Sequence, residues 1–241
     1  MKNWIMITAL FLTTTPLFAQ ETIGEKYDRA MEKFPPRIGF KAGLNAANMS
    51  IDNEGSISNK RSVPSWHVGV YVDIPLMPIV SLQPAILLNG KGSKYTIGDK
   101  EGNTYTEIST KPLYVEVPVN LIIKLPLPNK VKLFAGAGPY MAIGVGGKNS
   151  MDGKLLGASF SNDDAIEYSN DDPTTGSNGS AYNGNLKRFD FGLNVLAGLE
   201  ISHLTLNANY GYGLVNIKPG ASNDNSKYQN RVFSLSVGVL F

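Results

Sequence analysis

The chain has 241 residues and no cysteine, with 25 glycines, 11 tyrosines, 10 phenylalanines, 17% charged residues and a formal net charge of +2. Without cysteine there is neither a disulfide framework nor a thiolate metal site, and a near-neutral balance with no basic stripe gives no electrostatic footprint for nucleic acid. No apolar run reaches the roughly 18 residues that a membrane-crossing helix needs, which excludes a helical membrane protein.

Residues 1–19 open with Lys2, pass through an apolar stretch from Trp4 to Leu12 and reach Leu17, Phe18 and Ala19 before Gln20. This is the layout of a cleavable secretory signal, and no cysteine follows it to carry a lipid anchor. Residues 20–36 form a separate segment in which Ile23, Tyr27 and Met31 fall at helical spacing ahead of Phe34, Pro35 and Pro36. An amphipathic turn docked on a partner or on the domain that follows fits this spacing, and so does an unstructured tether.

From Arg37 to Phe241 the apolar residues recur at every second position, the signature of strands with one apolar face. Ile38, Phe40, Ala42 and Leu44 alternate with Gly39, Lys41 and Gly43. Trp66, Val68, Val70, Val72 and Ile74 alternate with His67, Gly69, Tyr71 and Asp73. A less regular segment runs from Val80 to Lys91. In the clearest case, Leu113, Val115, Val117, Val119, Leu121, Ile123 and Leu125 face away from Tyr114, Glu116, Pro118, Asn120 and Lys124. Val131 to Val145 is again less regular. Phe189 to Ile201 sets Phe191, Leu193 and Val195 against Asp190, Gly192 and Glu200, and Leu204 to Leu214 sets Leu206, Ala208, Tyr210 and Tyr212 against Thr205, Asn207 and Asn209. The tail places Phe233, Leu235, Val237, Val239 and Phe241 opposite Ser234, Ser236 and Gly238.

These eight strands are joined alternately by short and long links. The short ones are residues 75–78, 126–130 and 202–203; the long polar ones are 49–65, 93–110, 146–186 and 217–228. An even strand count with alternating short turns and long loops is the pattern of an outer-membrane barrel, with both ends of the barrel segment on the periplasmic side. The expected fold is therefore all-β, an eight-stranded antiparallel up-and-down transmembrane barrel over residues 37–241. Trp66, Phe189, Phe191, Tyr212 and Phe233 would form its outer aromatic girdle, with Phe241 at the inner rim. The alternating tail ending in Phe241 is expected to be the C-terminal insertion signal read by the barrel-assembly machinery.

A soluble barrel would turn its apolar face inward. Here the other face carries charges of both signs, Lys41, Lys91, Lys124, Lys132 and Arg231 against Asp73, Glu116, Asp190 and Glu200, and many glycines suited to a narrow, curved interior. An eight-stranded interior is just wide enough for side chains to fill it. A lumen network of ion pairs is expected among Lys41, Glu116, Lys124, Lys132, Asp190, Glu200 and Arg231, the alternative being a narrow polar conduit. Pro84, Pro118 and Pro139 fall within strands and are expected to mark bulges or register changes.

Other constellations are weaker. AIGVGGKN around Lys148 approximates a phosphate loop, but Ala142 stands where glycine is required and Asn149 where serine or threonine is required. His67 would need Asp73 or Asp190 beside it to serve a hydrolase, and a hydrogen-bonded lumen histidine is the simpler expectation. Ser161–Asp164 and Ser169–Asp172 repeat SNDD with Glu167 between, in a loop from Lys148 to Asn185 where calcium, a calcium bridge to lipopolysaccharide or plain solvation would suit the oxygen ligands. No catalytic, cofactor or metal residues are assigned.

The blocks FKAGLNAANMS, LQPAILLNGKGSKY, YVEVPVNLIIK, FAGAGPYMAIG, FDFGLNVLAGLE, YGYGLVNI and SVGVLF occur in this order between Arg37 and Phe241. In that order the sequence resembles the PorT-like outer-membrane β-barrel family. The resemblance implies an eight-stranded barrel in the outer membrane and, for part of the family, a link to protein secretion, with no catalytic motif. The expected protein is a non-enzymatic barrel of the envelope. Its partners would be outer-membrane lipid, the assembly machinery and a periplasmic or secretion protein; a porin-like barrel for small solutes is the second expectation.

Overall fold

The structure, a computed structural model, describes residues 35–51, 60–98, 104–155, 158–166, 168, 186–217 and 228–241. The signal-like residues 1–19, residues 20–34, Glu167 and Ser169–Asp172 lie outside the described residues.

Eleven strands follow one another: β1 (Arg37–Ile51), β2 (Lys60–Arg61), β3 (Val63–Met77), β4 (Val80–Gly90), β5 (Ser93–Gly98), β6 (Tyr105–Leu127), β7 (Val131–Leu155), β8 (Ala158–Ala165), β9 (Phe189–Ile201), β10 (Leu204–Gly213) and β11 (Tyr228–Leu240). Eight of them close a ring in the order β1-β3-β4-β6-β7-β9-β10-β11, with β11 returning to β1 and every pairing antiparallel. Each ring strand lies beside its predecessor in the chain, which makes the barrel up-and-down. Closure matters because hydrocarbon offers no partner to a free backbone N–H or C=O.

The alternation seen in the sequence becomes two surfaces. Phe40, Leu44, Val68, Val70, Leu121, Ile123, Leu193, Val195, Leu206, Leu235 and Val237 are exposed on the outer wall. Their neighbours Asn45, His67, Asp73, Glu116, Lys124, Asp190, Glu200, Ser234 and Ser236 are buried inside. The tail follows this parity, with Val232, Ser234, Ser236 and Leu240 inward and Phe241 exposed at the rim, edge-on to Phe40 with ring centroids 6.2 Å apart. At one periplasmic turn Asn129 and Lys130 both adopt left-handed backbone (φ 62° and 59°), the pair of values that a tight hairpin demands.

Two expectations change. The prolines shift no register, because pairing keeps the same offset on both sides of Pro84, Pro118 and Pro139, although each leaves a gap in the ladder toward one neighbouring strand, Pro84 toward β3, Pro118 toward β4 and Pro139 toward β6. The irregularities fall instead between Pro75 and Met77 and between Leu113 and Tyr114. The long links are also not all loop. β6 and β7, 23 and 25 residues long, continue past the barrel as a ribbon, flanked by β5 with β2 and by β8. About 9–11 residues cross a bilayer, so roughly half of each stands outside it. Outside the membrane no face meets lipid, so the apolar alternation that reveals a strand is lost while the backbone ladder persists.

The wall tolerates no side chain where strands crowd most closely. At Gly43 on the β1–β11 seam, a Cβ would run into the Leu235 carbonyl and the His67 ring. Gly43→Val is expected to abolish barrel closure, read as loss of the heat-modifiable folded band in electrophoresis of refolded protein.

Candidate functional site

The lumen is filled in layers. At the periplasmic end Glu200 (β9) receives Arg37 Nη1 at 2.8 Å, Lys132 Nζ at 2.9 Å and Lys124 Nζ at 3.2 Å. Asp73 (β3) receives Arg37 Nη2 at 3.0 Å and Lys124 Nζ at 2.5 Å. Register puts Lys132 directly opposite Glu200 and Arg37 directly opposite Asp73, and Lys124 ties the two pairs together across the interior. Above this layer sit two buried apolar clusters, Tyr71 with Ala85, Leu87 and Leu240, and Ile122 with Phe134 and Leu196.

Lys41 lies between the layers, its ammonium 5.8 Å from the centre of the Tyr71 ring. It lines two lumen cavities, of ≈ 20 and ≈ 10 Å³. The larger has room for about one water molecule. Among the described residues no carboxylate comes within ion-pair distance of Lys41.

The outer layer is centred on Lys91, which bridges Glu116 at 2.8 Å and Asp190 at 2.9 Å and stands 4.2 Å from the centre of the Tyr140 ring. Asn230 Nδ2 donates to Asp190 at 2.8 Å, the Tyr140 hydroxyl donates to the same carboxylate at 3.3 Å, and Asn89 Nδ2 donates to Glu116 at 3.0 Å. Asn45 Nδ2 donates to Asn89 Oδ1 at 2.8 Å and to the Gly90 carbonyl at 2.9 Å, so its Oδ1 faces His67 Nδ1 at 2.7 Å as an acceptor. The ring therefore carries its proton on Nδ1, and Nε2 accepts from the Ser236 hydroxyl at 2.7 Å. Ser236, His67 and Asn45 are thus arranged as a relay. The adjoining space has room for a water but not for an acyl group. Asp190 is committed to Lys91 and Asp73 to the periplasmic layer, so neither orients His67.

An apolar cap closes the extracellular end. Ile166, Leu186 and Ile217 are buried together with Tyr168 packed on them. The Tyr168 hydroxyl donates to the Gly146 carbonyl at 2.8 Å and the Leu113 carbonyl at 3.3 Å, and its ring meets Tyr114 edge-on at 6.0 Å. Lys187 N–H donates to Ile217 C=O at 2.9 Å, tying two loops across the mouth.

Of the seven charges expected to meet, Glu116 and Asp190 join through Lys91, and Lys124, Lys132 and Glu200 join at the other end. Lys41 stands over the Tyr71 ring outside these ion pairs, and Arg231 does not join them either. It shares the parity of Phe233, so it lies on the outer wall with its guanidinium 3.5 Å over the Tyr212 ring and bonded to Gly213 C=O and Gln229 Oε1. Charge alone suggested an interior position that the alternation already excluded. Arg37, Asp73 and Lys91 are the members the expected network lacked. Asp73 and Lys91 carry the right charge and parity, whereas Arg37 sits at the strand entrance, where alternation has scarcely begun.

In the outer ribbon, Lys148 pairs with Asp163 at 2.7 Å and Ser161 Oγ donates to Asp152 at 2.6 Å. The first SNDD block is therefore strand β8, and among the described residues no cluster of three acidic or histidine ligands is placed to hold a metal.

A closed antiparallel ring with an apolar outer wall and a polar, filled interior defines an outer-membrane β-barrel. The chain belongs to the outer membrane protein beta-barrel domain family, whose model matches residues 18–218, and its place is the outer membrane. Among solved structures it is similar to Neisserial surface protein A, at 14% identity over 85% of this chain and 97% of that chain with a TM-score of 0.38. It is also similar to OprG from Pseudomonas aeruginosa, at 12% identity over 86% and 94% with a TM-score of 0.43. A third likeness is to Ail of Yersinia pestis, solved with the heparin analogue sucrose octasulfate, at 10% identity over 86% and 99% with a TM-score of 0.37. No curated protein matches the sequence.

Proposed function

We propose that this barrel is a non-conducting, non-enzymatic component of the outer membrane, whose exposed ribbon or periplasmic rim binds a partner in envelope assembly or secretion. The observation that carries this reading is the lumen itself. Two charge layers, apolar side chains between them and a tyrosine-centred cap fill the lumen, and the two cavities that Lys41 lines measure only ≈ 20 and ≈ 10 Å³. The Ser236–His67–Asn45 relay supports a structural role for the same reason, since a nucleophile without room for its substrate does no chemistry. In the PorT-like resemblance the secretion link belongs to part of the family, and this chain is assigned to that part as a proposal. Phe233, Leu235, Val237, Val239 and Phe241 serve in this reading as the insertion signal for the assembly machinery.

The purified protein in a planar bilayer is expected to show no stable unitary openings. A reproducible conductance would favour the porin-like alternative. In-cell crosslinking from the ribbon and from the periplasmic rim, followed by co-purification, identifies the partner; absence of any specific adduct at either end would overturn the binding role.

A further inference from the structure

The register irregularity between Leu113 and Tyr114 has a chemical result. Below it, Tyr114 pairs with Gly144; above it, Leu113 pairs with Gly146, so Val145 is an extra residue in β7. A one-residue bulge reverses which face the later side chains occupy. Lys148 would otherwise share the inward parity of Tyr140 and Ala142. It is turned outward instead, directly opposite Lys111 of β6.

Both lysines are exposed. They stand just above the outermost apolar residues of this wall, Leu113 and Val145, and above Ile143, which pairs with the girdle residue Phe189. Like charges directly opposite one another on a sheet repel, so this pairing destabilises the ribbon unless an anion joins it. Asp163 of β8 bonds Lys148 at 2.7 Å. The Lys148 hydrogen bond, aided by one from Ser150, holds the Asp163 carboxyl below its ordinary range, so it is ionised at neutral pH. One carboxylate against two ammonium groups leaves one positive charge at the level where lipid headgroups meet the barrel.

We propose that Lys111 and Lys148, brought together by the Val145 bulge, bind a phosphate group of the phosphorylated glycolipid in the outer leaflet. The acyl chains of that lipid would lie along Leu113, Val145 and Ile143, which ties the site to a membrane lipid rather than to free phosphate. Asp163 limits the charge and so tunes the affinity.

The test uses the full chain in phosphatidylethanolamine vesicles containing either bisphosphorylated or dephosphorylated lipid A, with protein-bound glycolipid measured after detergent extraction. The wild type is expected to retain the bisphosphorylated form in preference to the dephosphorylated one. Lys111→Gln and Lys148→Gln should each lower that retention about fivefold. Asp163→Asn should raise it, a gain that damage to the fold cannot produce. Inorganic phosphate should compete poorly; complete displacement by it would reduce the site to a free-anion site and overturn the lipid assignment. Equal retention of both glycolipids by the wild type, or unchanged retention in the Lys111→Gln/Lys148→Gln protein with its heat-modifiable band intact, would also overturn it.

Discussion

Lys91→Met is expected to be the most damaging removal of a single charge from the lumen. The lysine is 2% exposed and is the ion-pair partner of both Glu116 and Asp190. Removing it leaves two carboxylates facing one another in a closed interior, and breaking a buried ion pair from one side costs about 3–5 kcal/mol. Asn89 and Asn230 remain as donors, so the barrel should still form, with a lower unfolding midpoint in urea titrations on lipid vesicles. Adding Glu116→Gln and Asp190→Asn to Lys91→Met removes the orphaned charges and should recover most of the loss. If the triple variant were no more stable than the single one, packing around Tyr140 and Tyr114 rather than charge would be the cause.

Glu200→Gln is the second. Glu200 gathers Arg37, Lys124 and Lys132, and without its charge Arg37 and Lys124 are left to share Asp73 while Lys132 loses its ion-pair partner. A destabilisation of about 3 kcal/mol is expected, again from the uncompensated buried charge. Lys132→Gln provides the contrast. Its side chain is 39% exposed against 2% for Glu200, so solvent screens it and the loss should stay within about 1 kcal/mol. Equal effects of the two substitutions in the same urea titration would show that the periplasmic layer is wetter than its burial implies.

The ring strands were legible because a barrel wall between lipid and a polar lumen forces alternation on every residue it contains. That is why Leu113–Leu125 and Phe189–Ile201 can be read directly, and why the tail's parity predicts an inward Ser236 and an outward Phe233. Parity also contains the answer for Arg231, which charge alone would turn inward, although a guanidinium at the outer rim can rest on Tyr212 instead. The ribbon was illegible for the opposite reason, since Ser, Asn and Asp at Ser150–Asp152 and Ser161–Asp164 are constrained only by the ladder. The relay of Ser236, His67 and Asn45 joins residues from β11, β3 and β1, with Ser236 and His67 169 positions apart, and only the ring's register brings them together.

The seam between β1 and β11 has a consequence for how the molecule comes into being. Its paired residues are roughly two hundred positions apart in sequence, and such non-local contacts form slowly because the intervening chain must be ordered first. Until β11 arrives, both β1 and β10 present a bare hydrogen-bonding edge, and His67 lacks Ser236. Maturation is therefore a zipper with one final tooth. A chain halted before β11 is not a smaller barrel but an open sheet, which a bilayer cannot accept and which the cell must either hold in a chaperone or degrade.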